Sequence, residues 1–417
     1  LHLFSFLIFL GALLFAVAIT AYKPRYGLAA MIVADPFDYS HKLSLTTISI
    51  PKVFLIGVLI GLLVRRTSLR PLWNSPVRPL FLAASAIFIV TALTGIPGLY
   101  IDAVARETLK SLEYVATFSI AALAFVADPD DRTAWFALSA TVVVVCALSL
   151  VQEVSGAPSA VYVGGAVVRR IAGPLEGPNQ LAGYLAIAIP MLLARVTLRR
   201  DWFATVVVAV AAITDVLTLS RAGAFGITFG IIAVVARVAQ KRVRFAIVGG
   251  FAILLVLGAL VLRHLGALAR LSSIGDVNFN NGLGTRSELW GAAWQFFLAH
   301  PILGIGAGNF ELQLPTLGIV GVRTHANSLY LQALSEGGIL LFIATVAAIV
   351  IAIRLLYVRS DRNALAIGAG SATIALAMHQ LFDTMTFFPK VGGFWWMCLG
   401  IGAASMLVRA RTIAEPA

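Results

Sequence analysis

Charge is scarce in this chain: 12% of its 417 residues are Asp, Glu, Lys or Arg, against 60% hydrophobic, and the mean hydropathy is +0.94. That scarcity excludes a soluble globular protein, because so much apolar surface cannot be hidden in one core. Cysteine is nearly missing. Cys146 and Cys398 both sit inside apolar runs, which argues against a disulfide framework and leaves them as small core residues. No nucleophile elbow, Walker loop or dinucleotide fingerprint occurs. His379 and Asp383 stand at i, i+4, but two ligands are too few for zinc, so neither a metal nor a cofactor is expected. Asp128-Pro129-Asp130 reads as a polar turn. Internal repeats, low-complexity tracts and polar linkers are absent too, so residues 1–417 read as a single integral membrane domain.

What the chain does have is apolar runs of about 17–25 residues along its whole length, the mark of an all-α, polytopic membrane protein with about 12 transmembrane helices. The runs fall near 1–19, 25–34 (short), 50–64, 79–95, 105–127, 133–151, 178–196, 202–219, 222–238, 244–262, 326–353, 363–382 and 391–408. Residues 1–19 lack a small-residue cleavage site, and Tyr22-Lys23-Pro24-Arg25 looks like the flank of a first span.

Basic residues set the topology. Arg65, Arg66, Arg70 and Arg78 fall on the same side as Arg199 and Arg200, Arg237 to Arg244, Arg354 to Arg362, and Arg409 with Arg411. The positive-inside rule makes that side the cytoplasm. The net charge of +12 is then mostly topological and calls for no nucleic acid. The opposite side carries the long segments 152–177 and 263–325. It should be poor in arginine, yet it holds Arg169, Arg170, Arg221, Arg263, Arg270, Arg286 and Arg323.

An arginine placed there against the topological bias suits phosphate, since its planar fork stays charged and matches two oxygens. Arg221 follows directly on a span in a hairpin with almost no loop. Asp215 is the intramembrane acid that could answer it in a purely structural role. Thr285-Arg286-Ser287-Glu288 reads as a capping box for a helix at 286–300. Leu289, Trp290, Ala293, Trp294, Phe297 and Leu298 would form its apolar face, so the helix is expected to lie along the bilayer surface. Gly304, Gly306 and Gly308 read as a flexible turn. His325 is expected to open the next helix, either as a base for an acceptor hydroxyl or as a cap. Glu336, eleven residues on, is too far along a helix to partner His325 and reads as a structural acid nearer the cytoplasmic half. Arg106, Glu107, Lys110 and Glu113 are expected to compensate one another, or to wall a substrate site.

Four stretches resemble the O-antigen ligase and O-antigen polymerase (Wzy-type) superfamily of bacterial envelope glycosyltransferases. They are Arg170-Ile-Ala-Gly-Pro-Leu-Glu-Gly-Pro-Asn179, Leu219-Ser-Arg-Ala-Gly223, Gly284-Thr-Arg-Ser-Glu-Leu-Trp290 with His300-Pro-Ile-Leu-Gly-Ile-Gly306, and Thr324-His-Ala-Asn-Ser-Leu-Tyr-Leu-Gln332 running to Glu336-Gly-Gly338. The resemblance implies a GT-C-like transferase with a periplasmic active site. Its donor would be an undecaprenyl-pyrophosphate-linked glycan, and its acceptor a lipid A-core in a ligase or another glycan in a polymerase. By position, Arg221 and Arg286 match pyrophosphate-contacting arginines and His325 the first of the family's two histidines, the usual catalytic position falling on Asn327, with His325 as the catalytic residue expected here. Arg170, Arg169, Arg323 and Asn327 would bind substrate. Family members often read His-Ala-His-Asn where this chain reads His-Ala-Asn-Ser, so Asn327 stands at the second histidine's place. A lipid-linked oligosaccharide flippase or transporter is the rival reading, although the repeats it should show are missing. A sensor or scaffold would leave the outward arginines unexplained.

Overall fold

The computed structural model describes residues 2–37, 40–42, 47–156, 159–163, 166–238, 249–250, 286–321 and 324–414. The expected span at 244–262 lies almost wholly outside them, as do Arg263, Arg270, Thr285 and Arg323. The helices follow the apolar runs closely, because a backbone in hydrocarbon must satisfy its own hydrogen bonds. In chain order they are α1 (His2–Tyr22), α2 (Pro24–Ala34), α3 (Ile50–Val64), α4 (Val77–Leu93), α5 (Ile101–Ala127) and α6 (Asp131–Ser155). Then come α7 (Pro178–Arg199), α8 (Trp202–Thr218), α9 (Arg221–Val238), α10 (Arg286–Ala299), α11 (Leu329–Ala352), α12 (Ala364–His379) and α13 (Pro389–Ala414). Among the described residues six helices are long and apolar enough to cross a membrane, and four shorter apolar helices accompany them. The protein is a multi-pass, all-α membrane protein.

Two small antiparallel ribbons interrupt the helices: β1 (Ser40–Lys42) with β2 (Thr47–Ser49), and β3 (Ser159–Val163) with β4 (Ala166–Arg170). The second pairs Ser159 with Arg170 and Val163 with Ala166. Its signal was present in the sequence as two β-branched runs around Gly164-Gly165.

The basic residues expected on one side do meet at one end of the bundle. Arg65 donates to the Ala21 and Tyr22 carbonyls. Arg25 bridges Asp128 and Asp130 at 3.5 and 3.1 Å, so that acidic turn is structural. Arg237 donates to the Tyr357 and Ser360 carbonyls, and Arg409 to that of Asp361. At the centre stands α7, buried continuously from Leu181 to Ala194. It packs against α8, α9 and α12. Small residues allow that approach, as in membrane bundles generally: a Cβ on Gly230 would meet Pro190 and Ala375.

The stretch 300–310, expected to be a flexible turn, is a fixed insertion. α11 breaks at Gly338, where φ is 59°. The Ser335 and Glu336 carbonyls accept instead from the Ile305 and Gly306 N–H groups at 2.9 and 3.0 Å, and Ile339 N–H donates to Pro301 at 2.8 Å. Backbone groups that the break frees thus find partners in the inserted segment, which is what makes such a break tolerable. Asn309 ties the same segment to the start of α5, accepting from Tyr100 N–H at 2.8 Å. Glu336 belongs to this junction, accepting from Phe310 N–H at 3.1 Å. It therefore belongs to the first turns of α11, tied to the inserted segment.

Candidate functional site

α10 differs from the one-faced helix expected of it. It buries Leu289, Ala292, Ala293 and Phe296 in a small core with Ile305, Phe310, Leu314 and Ala326, while Trp294 and Leu298 are 49% and 62% exposed. The helix is apolar on two faces. One closes over the 305–326 segment and the other is left outward, so the six-residue face drawn from spacing alone mixed the two. Through this core α10 presents Arg286 at one end and holds Ala326, the neighbour of His325, against its flank.

The arginine cluster is assembled by β4, α7, the α8–α9 turn, α10 and the loop 380–388. Arg170, buried at the end of β4, donates from Nε to the Thr218 carbonyl and from Nη2 to Asn179 Oδ1, both at 2.6 Å. Asn179, in the first turn of α7, passes the link on, its Nδ2 donating to Asp383 Oδ2 at 2.8 Å. Asp383 Oδ1 accepts from Thr384 N–H at 2.8 Å. Burial raises the Asp383 carboxyl above the ordinary aspartate range, opposed by Thr384 N–H, Arg286, Asn179 and Arg170. Arg170 thus reaches Asp383 through Asn179, and Arg286 acts on the same carboxylate through space. Arg286 is half-buried and has no ion pair within 4.0 Å among the described residues.

Arg221 opens α9 beside this cluster, three residues after the Thr218 carbonyl that Arg170 grips. Ser220 Oγ accepts from Gly223 N–H at 3.2 Å and fixes that start. Among the described residues Asp215 does not answer Arg221: its Oδ1 is buried and has no hydrogen-bond donor there. Arg169 pairs with Ala160 in the ribbon.

His325 lies in an extended stretch before α11, whose N-cap is Ser328, rather than at the helix start. Its ring rests on Phe387 at 3.7 Å between centroids. Lys110 covers the other part of this stack, with Nζ 3.7 Å from the Phe387 centroid and 2.9 Å from the Phe387 carbonyl. Burial, and then Lys110, push His325 down to about 4. The imidazole is therefore neutral near pH 7. Two residues on, Asn327 has φ 50°, in the left-handed region that asparagine tolerates better than most residues. Leu329 N–H then donates to the Gln380 and Asp383 carbonyls, both at 3.0 Å, tying the histidine stretch to the loop that bears Asp383. His325 and the arginines accordingly flank one loop, 380–388. His379 and Asp383 form no pair: both ring nitrogens of His379 are buried without a partner among the described residues.

A cavity of about 620 Å³ opens between α2, α3, α5 and the start of α13. Lys52 pairs with Glu113 at 3.2 Å, Lys110 with Glu107 at 2.6 Å and Lys390 with Glu176 at 3.6 Å along its wall. The expected compensation within α5 holds for Lys110 and Glu107, while Glu113 is answered from α3 instead. Lys110 lines this cavity and also covers the Phe387 ring on which His325 rests.

The depressed His325 value has a measurable consequence. A histidine lowered by the fold contributes stability that is present above its unfolded value of about 6.5 and is lost as pH falls towards 4. If turnover needs the neutral ring, the acid limb of kcat/KM is expected near pH 4. Phe387→Ala, which admits water to the ring, should move that limb up towards about 6.5. An acid limb that stays in place in the variant would dissociate it from this histidine.

Sequence reading singled out Arg170, Arg221, Arg286 and His325 as candidates and Lys110 only as an alternative substrate wall, and it gave no site role to Asn179, Asp383 or Phe387. Asn179 was within reach, as a polar residue directly after Gly177-Pro178 at the mouth of a span. Asp383 was paired with the wrong neighbour, and no local signal tied Phe387 to His325. Residues 204–346 match a family model described as O-antigen ligase, which supports placing the chain in the O-antigen ligase and polymerase superfamily. The match takes in Arg221, Arg286, Arg323, His325 and Asn327 and stops short of Arg170, Asn179 and Asp383. No curated protein matches the chain.

Proposed function

The chain carries the domain of the O-antigen ligase and polymerase superfamily, and from that premise we propose that it moves a glycan from undecaprenyl pyrophosphate to an acceptor hydroxyl at the periplasmic face. The observation that carries this reading is the chain from Arg170 through Asn179 to Asp383, with Arg286 acting on that carboxylate through space and Arg221 opening the next helix, across a single loop from His325. In the reaction the acceptor oxygen attacks the anomeric carbon. The bond from that carbon to the pyrophosphate oxygen breaks, and its electrons leave with undecaprenyl pyrophosphate. The acceptor proton passes to His325.

Arg286 and Arg221 hold the diphosphate and stabilise the charge that grows on it, which is the part a metal ion plays elsewhere. Arg170 and Asn179 position that cluster through Asp383. The acceptor enters by the cavity between α2, α3, α5 and α13, whose wall of paired Lys and Glu side chains offers hydrogen-bonding groups to a saccharide.

The test is a reconstituted reaction with purified protein, undecaprenyl-pyrophosphate glycan and lipid A-core, without added metal or nucleotide. New glycosidic product is expected, with turnover at least about 100-fold lower in His325→Ala protein of unchanged melting temperature. Unchanged turnover in that variant removes His325 from the chemistry. Lipid movement across vesicles with no new glycosidic bond identifies a transporter instead.

A further inference from the structure

A second cavity lies at the opposite, arginine-rich end of the bundle and plays no part in the transfer. It measures about 640 Å³ and is bounded by the C-terminal ends of α5, α7 and α13 and the N-terminal ends of α6 and α12. Arg132, Arg199, Arg362 and Arg409 line it, against Asp130 and Asp131. Asp130 is already occupied, since Arg25 bridges it at 3.1 Å and it caps α6 through Arg132 N–H at 2.9 Å. Arg409 donates to the Asp361 carbonyl. Among the described residues Arg132, Arg199 and Arg362 have no ion pair within 4.0 Å. Positive charge therefore exceeds negative charge in a hollow that the fold leaves open.

The rest of the wall is apolar: Phe125, Trp135, Leu198 and Val408. Each lies deeper in the bundle than a charged neighbour on the same helix or at its end. Trp135 is one turn inward from Arg132, Leu198 precedes Arg199, and Val408 precedes Arg409. The gradient runs from guanidinium at the rim to hydrocarbon below, the polarity of a phospholipid entering head outward. A soluble phosphate compound would satisfy the rim but not the apolar floor. Basic pockets between transmembrane helices on the cytoplasmic side are known to take anionic head groups, each nearby Lys or Arg adding to the attraction.

We infer that this cavity binds the phosphodiester head group of an anionic phospholipid from the arginine-rich leaflet, with Arg132, Arg199 and Arg362 as its ligands. Occupancy would lock together five helix ends that are otherwise joined there by few charged contacts. The site stands whether or not the transferase reading holds.

Full-length protein, delipidated in neutral detergent, is titrated with phosphatidylglycerol, with phosphatidylcholine and with glycerol 3-phosphate, and binding is followed by native mass spectrometry. One saturable phosphatidylglycerol is expected, bound at least about 30-fold more weakly by the Arg132→Gln, Arg199→Gln, Arg362→Gln triple variant. Asp131→Asn, which removes the carboxylate left unpaired in the hollow, should tighten binding about five-fold. Equal affinity in the triple variant, or no gain in Asp131→Asn, overturns the site. Equal binding of phosphatidylcholine removes the charge selectivity, and displacement of the lipid by an equal concentration of glycerol 3-phosphate assigns the hollow to a soluble phosphate.

Discussion

Arg286→Ala is expected to lower kcat by about 10²–10³-fold, the usual cost of losing one donor aimed at developing charge. Its melting temperature should stay within a few degrees of the parent protein. The second half of the expectation is what makes the first informative. Arg286 is half-buried at the start of α10 and has no ion pair within 4.0 Å among the described residues, so truncation leaves no buried partner stranded. Arg170 is the contrast. It is 5% exposed and donates to the Thr218 carbonyl and to Asn179, which in turn holds Asp383. Arg170→Ala should therefore cost about 3 kcal/mol of stability by orphaning buried acceptors. Arg286→Lys should recover only part of the rate, because an ammonium offers a point charge where a fork is needed. Steady-state turnover together with thermal melting in detergent separates the two arginines. Equal destabilisation, or a small rate loss in Arg286→Ala, would move the diphosphate site elsewhere.

Gly338→Ala is expected to abolish turnover and to lower stability by at least about 3 kcal/mol. Two costs add at this position. At φ 59° a Cβ is strained by about 1–2 kcal/mol. The same atom would also collide with the Ile302 backbone, which the insertion presses against the break in α11. Neither partner can yield alone, since Ile339 N–H donates to Pro301 and Gly306 N–H to Glu336 across the same contact. Pushing the insertion outward would disturb Phe310 and Ile305, the core on which α10 and Ala326 rest. Gly291→Ala is the control: it lies on α10 with open space where a Cβ would go and should be neutral within about 0.5 kcal/mol. A folded, active Gly338→Ala protein would mean that the junction is not rigid.

Much of the architecture was decided by the sequence alone, for a physical reason. Hydrocarbon rewards any apolar run long enough to span it and forces that run to be helical. The bounds of α3, α5, α7 and α8 therefore follow from local composition, and the segregation of Arg65, Arg237 and Arg409 to one end follows from charge bias. The arginines on the other side were legible because they break that bias. What could not be read were contacts between residues far apart in the chain. Asn179 and Asp383 meet although 204 residues separate them, and Lys110 covers Phe387 across 277. No periodicity encodes such a meeting. The glycines at 304, 306 and 338 show the same limit. Their spacing announces freedom, but only the packing of the 300–310 segment into the broken helix turns that freedom into a fixed joint. It is the tertiary structure that closes backbone hydrogen bonds between the two segments and so decides where His325 stands relative to Asp383 and the arginines.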